Sequence, residues 1–156
     1  MKDKNNKFIT DVFSEVPDTY EWINHLLTFG FDILWRKKAV KTALTANPGK
    51  WADMCTGTGE TAVYLNKSKP EGTKVYAVDL TKEMMETAKR KPDAKDIEFV
   101  EADVKQLPFD DNTFDLLTIS FATRNLNLSK EILTQTFAEF YRVLKPGGIF
   151  VNVETS

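Results

Sequence analysis

Apolar positions in this chain follow two alternating rhythms. Short segments rich in apolar and β-branched residues, readable as strands, occur at residues 50–54, 74–79, 97–101, 114–120 and 149–153. Between them the apolar residues recur at helical spacing, as in Met84, Met85 and Ala88, or Ile132, Leu133, Phe137, Phe140 and Tyr141. Strands alternating with helices predict a parallel sheet covered by helices on both faces. Right-handed crossovers favour the strand order 3-2-1-4-5. The expected fold is therefore a Rossmann-like, doubly wound α/β sheet in three layers.

Turn chemistry sets the boundaries. Asn47-Pro48-Gly49 ends one helix, Pro70 to Gly72 another, and Pro92-Asp93 a third. Thr81 is placed to cap a helix through Lys91, and Ser129 one running to Leu144. Lys145 to Gly148 reads as a turn before strand five. Ahead of strand one, a polar lead of about ten residues precedes an aromatic segment with Phe13, Tyr20, Trp22, Phe29 and Phe31. Pro17, Asp18 and Glu21 predict a helix start there, and Gly30 a stop. A second helix is expected from Asp32 to Thr45, with Leu34, Ala39, Val40, Ala43 and Leu44 as its apolar stripe. These two helices either cover a sheet edge or form a lid over a pocket at its carboxyl side. Residues 1–45 thus divide from a sheet domain at 46–156 within one structural domain.

Composition narrows the class. The 156 residues suffice for one core. A net charge of −2 gives no basic footprint for nucleic acid. One cysteine, Cys55, allows no internal disulfide, and with one histidine, His25, it leaves no His/Cys set for a metal. The polar first residues do not read as a secretion signal, and no apolar run reaches the roughly 20 residues of a membrane span. A cytoplasmic protein is expected.

The chemistry concentrates after strand one, in Trp51 to Glu60 (WADMCTGTGE). Gly57 and Gly59 let the backbone turn sharply between a strand and a helix N-terminus, which is how open α/β sheets build nucleotide pockets. Gly57, Gly59 and Ala62 also fit the dinucleotide fingerprint, so a nicotinamide oxidoreductase stays open at this point. Asp79 closes strand two, 20 residues beyond Gly59, where an acid takes ribose hydroxyls whichever nucleoside is bound. Asp53 lies earlier. A carboxylate there suits a ligand with a cationic amino-acid end better than a pyrophosphate, which it would repel.

Five motifs in order then resemble the class I S-adenosylmethionine-dependent methyltransferases: Asp53 to Gly59, Val78-Asp79, Ala102-Asp103, Leu107 to Asp115 (LPFDDNTFD) and Tyr141 to Gly148 (YRVLKPGG). Tyr20, Asn24, Phe29-Gly30, Leu34-Trp35-Arg36 and Arg124-Asn125 resemble one branch, the ubiquinone/menaquinone biosynthesis C-methyltransferases (UbiE-like). Cys55 stands where the wider class often has Gly, and Glu21 and His25 where the branch is expected to have Asp. Members of the branch continue through a further helix and two strands. The resemblance therefore implies either a longer natural protein or an open edge on strand five that invites a homo-oligomer.

The resemblance implies a site. Asp53 meets the methionine amino group of S-adenosyl-L-methionine, while Cys55, Gly57 and Gly59 line the methionine and ribose. Asp79 with Leu80 takes the ribose, Asp103 the adenine amino group with Val104 on the ring, and the Ser120 and Phe121 carbonyls flank the sulfonium. Methyl transfer to a quinol carbon needs an adjacent phenolate, so Arg124 supplies charge at the acceptor oxygen, Asn125 orients it, and Tyr20 or His25 relays the proton. A surface ion pair for Arg124 and core packing for Tyr20 are the plain alternatives. The implied acceptor is a prenylated quinol, demethylmenaquinol or a benzoquinol, whose lipophilic tail is compatible with peripheral membrane contact. Against it stand a methyltransferase on another small molecule and a cofactor-binding module with little activity.

Overall fold

The computed structural model of the protein describes residues 31–127 and 129–154. The predicted first helix, with Tyr20 and His25, lies outside the described residues. A helix α1 (Phe31–Ala43) precedes strand β1 (Lys50–Met54), helix α2 (Glu60–Ser68), strand β2 (Lys74–Asp79) and helix α3 (Lys82–Lys89). A 3-10 turn (Pro92–Ala94) leads into β3 (Ile97–Glu101) and, after a loop, β4 (Phe114–Ser120). Helices α4 (Thr123–Leu126) and α5 (Lys130–Val143) then run into β5 (Leu144–Val153). The five strands form one parallel sheet in the order β3-β2-β1-β4-β5, as expected.

Register explains the two cores. Trp51 pairs with Val75 and Leu116, and these join Val40, Ala43, Ala62 and Leu65 on one face, under α1 and α2. The next residue on each strand points the other way: Ala52, Tyr76 and Leu117 meet Phe140 and Val143 of α5 on the second face. Phe109 closes that core from the loop before β4, edge-on to Phe114 at 4.8 Å. Arg142 fastens the same loop to α5, donating to the carbonyls of Phe109 and Leu107 and pairing with Asp111 and Glu139.

Several local expectations change. Tyr141 is 85% exposed, because Thr136, Phe140 and Val143 set the inward face of α5 and the next residue is turned about 100° from Phe140. Leu34 and Leu44 are exposed too. The inward face of α1 is Ala39, Val40 and Ala43; Leu34 lies off it, and Leu44 follows the last turn. Ser129 caps α5 through Ile132 N, whereas Thr81 occupies the N-cap of α3 without a side-chain bond to it. The turn at 145–148 is built as an irregularity within β5, with Gly147 at φ +79°. Short α4 was not expected. No helix among the described residues is long and apolar enough to cross a membrane.

Gly59 couples two layers. Its φ is +79°, and a Cβ there would lie 2.7 Å from the Ala88 Cβ of α3. Gly72 has nearly the same φ, +78°, with open space around it. We predict that Gly72→Ala costs about 1 kcal/mol, the left-handed backbone alone, and Gly59→Ala about 3 kcal/mol, because overpacking is added. Urea unfolding of both variants checks this; equal losses would contradict it.

Candidate active site

The carboxyl ends of β1, β2 and β4 lie side by side, and the charged groups of the first motif are gathered there. Asp53, 2% exposed, is the deepest. Its Oδ1 accepts from Thr118 Oγ1 on β4 and its Oδ2 from Thr56 Oγ1 in the glycine loop, each at 2.7 Å. Burial pushes this carboxyl up to about 6; the two hydroxyls and Arg36 oppose the rise, and Asp79 adds to it. Two hydroxyl donors do not replace the water that the ion has lost.

The loop beyond Asp53 is held to β2. Thr56 N donates to Val78 O at 3.0 Å, and Gly57 N to Asp79 Oδ2 at 2.8 Å. The other oxygen of Asp79 accepts from Thr81 N at 2.8 Å, with Leu80 N–H also helping to hold the carboxylate. Burial raises the Asp79 carboxyl, against these backbone donors. The chain leaves β1 through Cys55 at φ +52° and β4 through Phe121 at φ +58°. Two non-glycine residues in left-handed backbone at neighbouring strand ends are unusual strain for one site. The departure from Gly at position 55 thus falls where glycine would sit most easily. Cys55 is half-buried rather than buried, and burial together with Asp79, Asp53 and Asp103 drives its thiol upward, so it stays protonated and is no nucleophile.

Of the remaining candidates, Ser120 accepts from Thr61 Oγ1 at 3.1 Å, at the end of β4. Asp103 follows β3, with Oδ1 accepting from Lys105 N at 2.9 Å. Val104 is buried in the second core, which leaves its backbone rather than its side chain for a ligand. Arg124 and Asn125 sit on α4, just past Phe121. Arg124 is exposed, and its backbone N–H donates to Glu154 Oε2 at 3.2 Å. Gly57 has only Met84 Cε near its missing Cβ, at 3.7 Å, so its φ of +54° is the constraint there.

Sequence reasoning missed Arg36 as a site residue. Its helix packs through Ala39, Val40 and Ala43, one and two turns further on, and so carries Arg36 over the strand ends. The guanidinium lies over the Phe121 ring at 4.7 Å and donates from Nη1 to Thr61 Oγ1 at 2.9 Å. Trp35 approaches the same ring at 6.2 Å and stacks with Phe31 at 6.0 Å. Of the two expected helices α1 is the one described; Ala39, Val40 and Ala43 complete the core while Trp35 and Arg36 reach Phe121 at the end of β4. A cleft of about 490 Å³ between α1 and the end of β5 is lined in part by Trp35, Ala39, Val151 and Val153, and Asp53 is not among its lining residues.

With this geometry in hand, comparison with known proteins is informative. The model of the ubiE/COQ5 methyltransferase family matches residues 1–156. The chain belongs to that family. The demethylmenaquinone methyltransferase of Thermus thermophilus is 41% identical over 92% of this chain, and that of Chlorobaculum tepidum 39% over 99%. The chain spans 64% and 62% of those relatives' lengths. A putative S-adenosyl-L-methionine-dependent methyltransferase from Methanococcus maripaludis has a similar structure, with a TM-score of 0.67 and 25% identity over 97% of this chain and 65% of its own.

The raised carboxyl of Asp53 has a consequence for stability. The native state holds that proton up to about pH 6 while the unfolded chain releases it near pH 3.8, so this group's contribution falls as pH rises between those values. We predict that Asp53→Asn, which does not titrate, gains about 2 kcal/mol relative to the parent between pH 4 and pH 7. Unfolding in urea across that range reads the difference; parallel profiles would contradict it.

Proposed function

We propose that this protein is an S-adenosylmethionine-dependent C-methyltransferase acting on a prenylated quinol of the demethylmenaquinol type. The observation that carries the reading is the pairing of two partly desolvated carboxylates, Asp53 and Asp79, at adjacent strand ends on either side of a positive-φ glycine loop, in a chain of the ubiE/COQ5 family. The donor set fits the cofactor. Asp53 offers a buried anion for a cationic amino group, and the two carboxylate oxygens of Asp79, each with two lone pairs, are the acceptors assigned to the ribose hydroxyls. Asp103, two residues beyond β3, is assigned the exocyclic amine of the adenine. Ser120 and the backbone of Phe121 stand between these and α1. Bound S-adenosylmethionine supplies a methyl group on a sulfonium.

The chain's own residues do the rest by alignment, exclusion of water and charge. The acceptor carbon gains a methyl group and loses a proton, and it is nucleophilic only when a neighbouring hydroxyl is ionised. Arg124 on α4 is assigned the charge that favours that ion, with Asn125 orienting the oxygen and Tyr20 relaying the proton. Exposed apolar side chains of α1 support a lipophilic acceptor: Phe31 is 54% exposed, Leu34 59% and Trp35 39%, beside the ring of Phe121. Such an acceptor brings the protein to a membrane surface.

Two substitutions separate binding from chemistry. Asp79→Ala should weaken S-adenosylhomocysteine binding by about 1.5–3 kcal/mol, the worth of hydrogen bonds to a charged group. Arg124→Ala should lower methyl transfer to demethylmenaquinol by roughly 100-fold and leave that binding unchanged. Calorimetry and a methyl-transfer assay measure the two. Parallel losses in both quantities for Arg124→Ala would remove it from the acceptor side.

A further inference from the structure

Helix α1 has two unlike sides. Its sheet side is Ala39, Val40 and Ala43, with Asp32 buried beside them. At about 100° per residue the opposite side holds Leu34, Lys37, Lys38, Lys41 and, just past the last turn, Leu44, all of them exposed. Phe31 and Trp35 flank that side at the end nearest Phe121. Six large apolar side chains are exposed among the described residues, and four of them, Phe31, Leu34, Trp35 and Leu44, lie on α1 or directly after it. Scattered apolar exposure needs no explanation, but apolar side chains gathered on one element mark a surface that is covered in use.

Charge identifies what covers it. In a chain of net charge −2, α1 carries four cations, Arg36, Lys37, Lys38 and Lys41, and a single acid, which is buried. Arg36 is turned inward, to Glu60 and Thr61. The three lysines are exposed and have no ion pair among the described residues; Lys37 lies over the Tyr64 ring at 5.9 Å. Glu154 shares the cleft with Lys38, and its carboxylate accepts from Arg124 N. A short helix with lysines interleaved among Phe, Leu and Trp lies in the plane of a bilayer surface rather than across it. Headgroup phosphates take the cations and the acyl boundary takes the apolar side chains, a pairing that neither a neutral bilayer nor an acidic protein surface offers at once. We propose that the outward side of α1 docks this protein on anionic membrane surfaces, with Phe31, Leu34 and Trp35 entering the headgroup boundary and Lys37, Lys38 and Lys41 meeting its phosphates. This goes beyond the proposed function and does not depend on the reaction. It does set Trp35 and Phe121, at the carboxyl end of β4, next to the bilayer, where a lipophilic acceptor arrives.

Sedimentation with vesicles tests the docking, without cofactor or acceptor present. One set of vesicles is phosphatidylcholine alone, and the other is phosphatidylcholine with phosphatidylglycerol, two to one. The proteins are the parent, the combined variant Lys37→Gln, Lys38→Gln and Lys41→Gln, and Leu34→Ser. All of these changes fall on exposed side chains, so urea unfolding should match the parent's. At low ionic strength the parent should partition onto the anionic vesicles roughly 100-fold more strongly than onto the neutral ones, about 5-fold for each lysine. Added salt should erode that preference. The lysine variant should lose the preference and keep the weak binding common to both vesicles. Leu34→Ser should weaken binding to both vesicles alike and keep the preference. Equal binding of the parent to the two vesicles overturns the inference, as does binding to neither, or a preference that survives in the lysine variant. A parent that binds no vesicle and forms a dimer that Leu34→Ser dissociates gives this face to a second copy of the chain instead. None of these results bears on the reaction, which a methyl-transfer assay with detergent-dispersed acceptor tests separately.

Discussion

A carboxylate buried between two parallel strands must find donors, and that need governs the active end of this protein. Asp53 finds them in Thr118, its register partner on β4, and Thr56, three residues along in the glycine loop. The first bond ties β1 to β4. The second bends the loop back under the strand end. With the loop held there, Gly57 N–H meets Asp79 on β2, so three strand ends are joined through two carboxylates. The arrangement remains electrostatically unsatisfied, because hydroxyls compensate a buried anion only in part. In the proposed function the amino group of the cofactor is the cation that completes it.

Two of the three non-glycine residues in left-handed backbone among the described residues lie at the same edge; the third, Asn112, is in the loop before β4. Cys55 and Phe121 both leave their strands in left-handed backbone, and Gly59 is pressed against Ala88. Each would be costly alone. Together they turn β1 and β4 sharply enough to leave room at the sheet's carboxyl edge, while the rest of the core is ordinary apolar packing. Phe121 has a second use as the platform for Arg36 and the neighbour of Trp35. One strained residue therefore links the carboxyl end of β4 to α1.

Much of this was legible in the sequence. Central strands are buried on both faces, so Trp51 to Met54 and Leu116 to Ile119 read as apolar runs broken only by Asp53 and Thr118, and their bounds could be placed closely. The order of the strands followed from the handedness of crossovers. What escaped was fixed by tertiary contact. Short α4 has no periodicity to detect. Tyr141 and Leu34 obeyed helical spacing but lay to one side of the buried face, a difference set by the neighbouring helix and sheet. Arg36 appeared only as one letter of a branch motif, since nothing local distinguishes a solvated arginine from one laid on an aromatic ring 85 residues later. The departure at Cys55 was the one local hint of backbone strain.

The central claim is that Asp53 is a desolvated acid awaiting a cation. Calorimetric titration with S-adenosylhomocysteine from pH 5 to pH 8, in buffers of different ionisation enthalpy, measures the linked proton. We predict proton release below about pH 6 and an affinity that rises with pH until Asp53 is ionised in the free protein, then levels off. Proton uptake, or an affinity independent of pH across that range, would contradict the account.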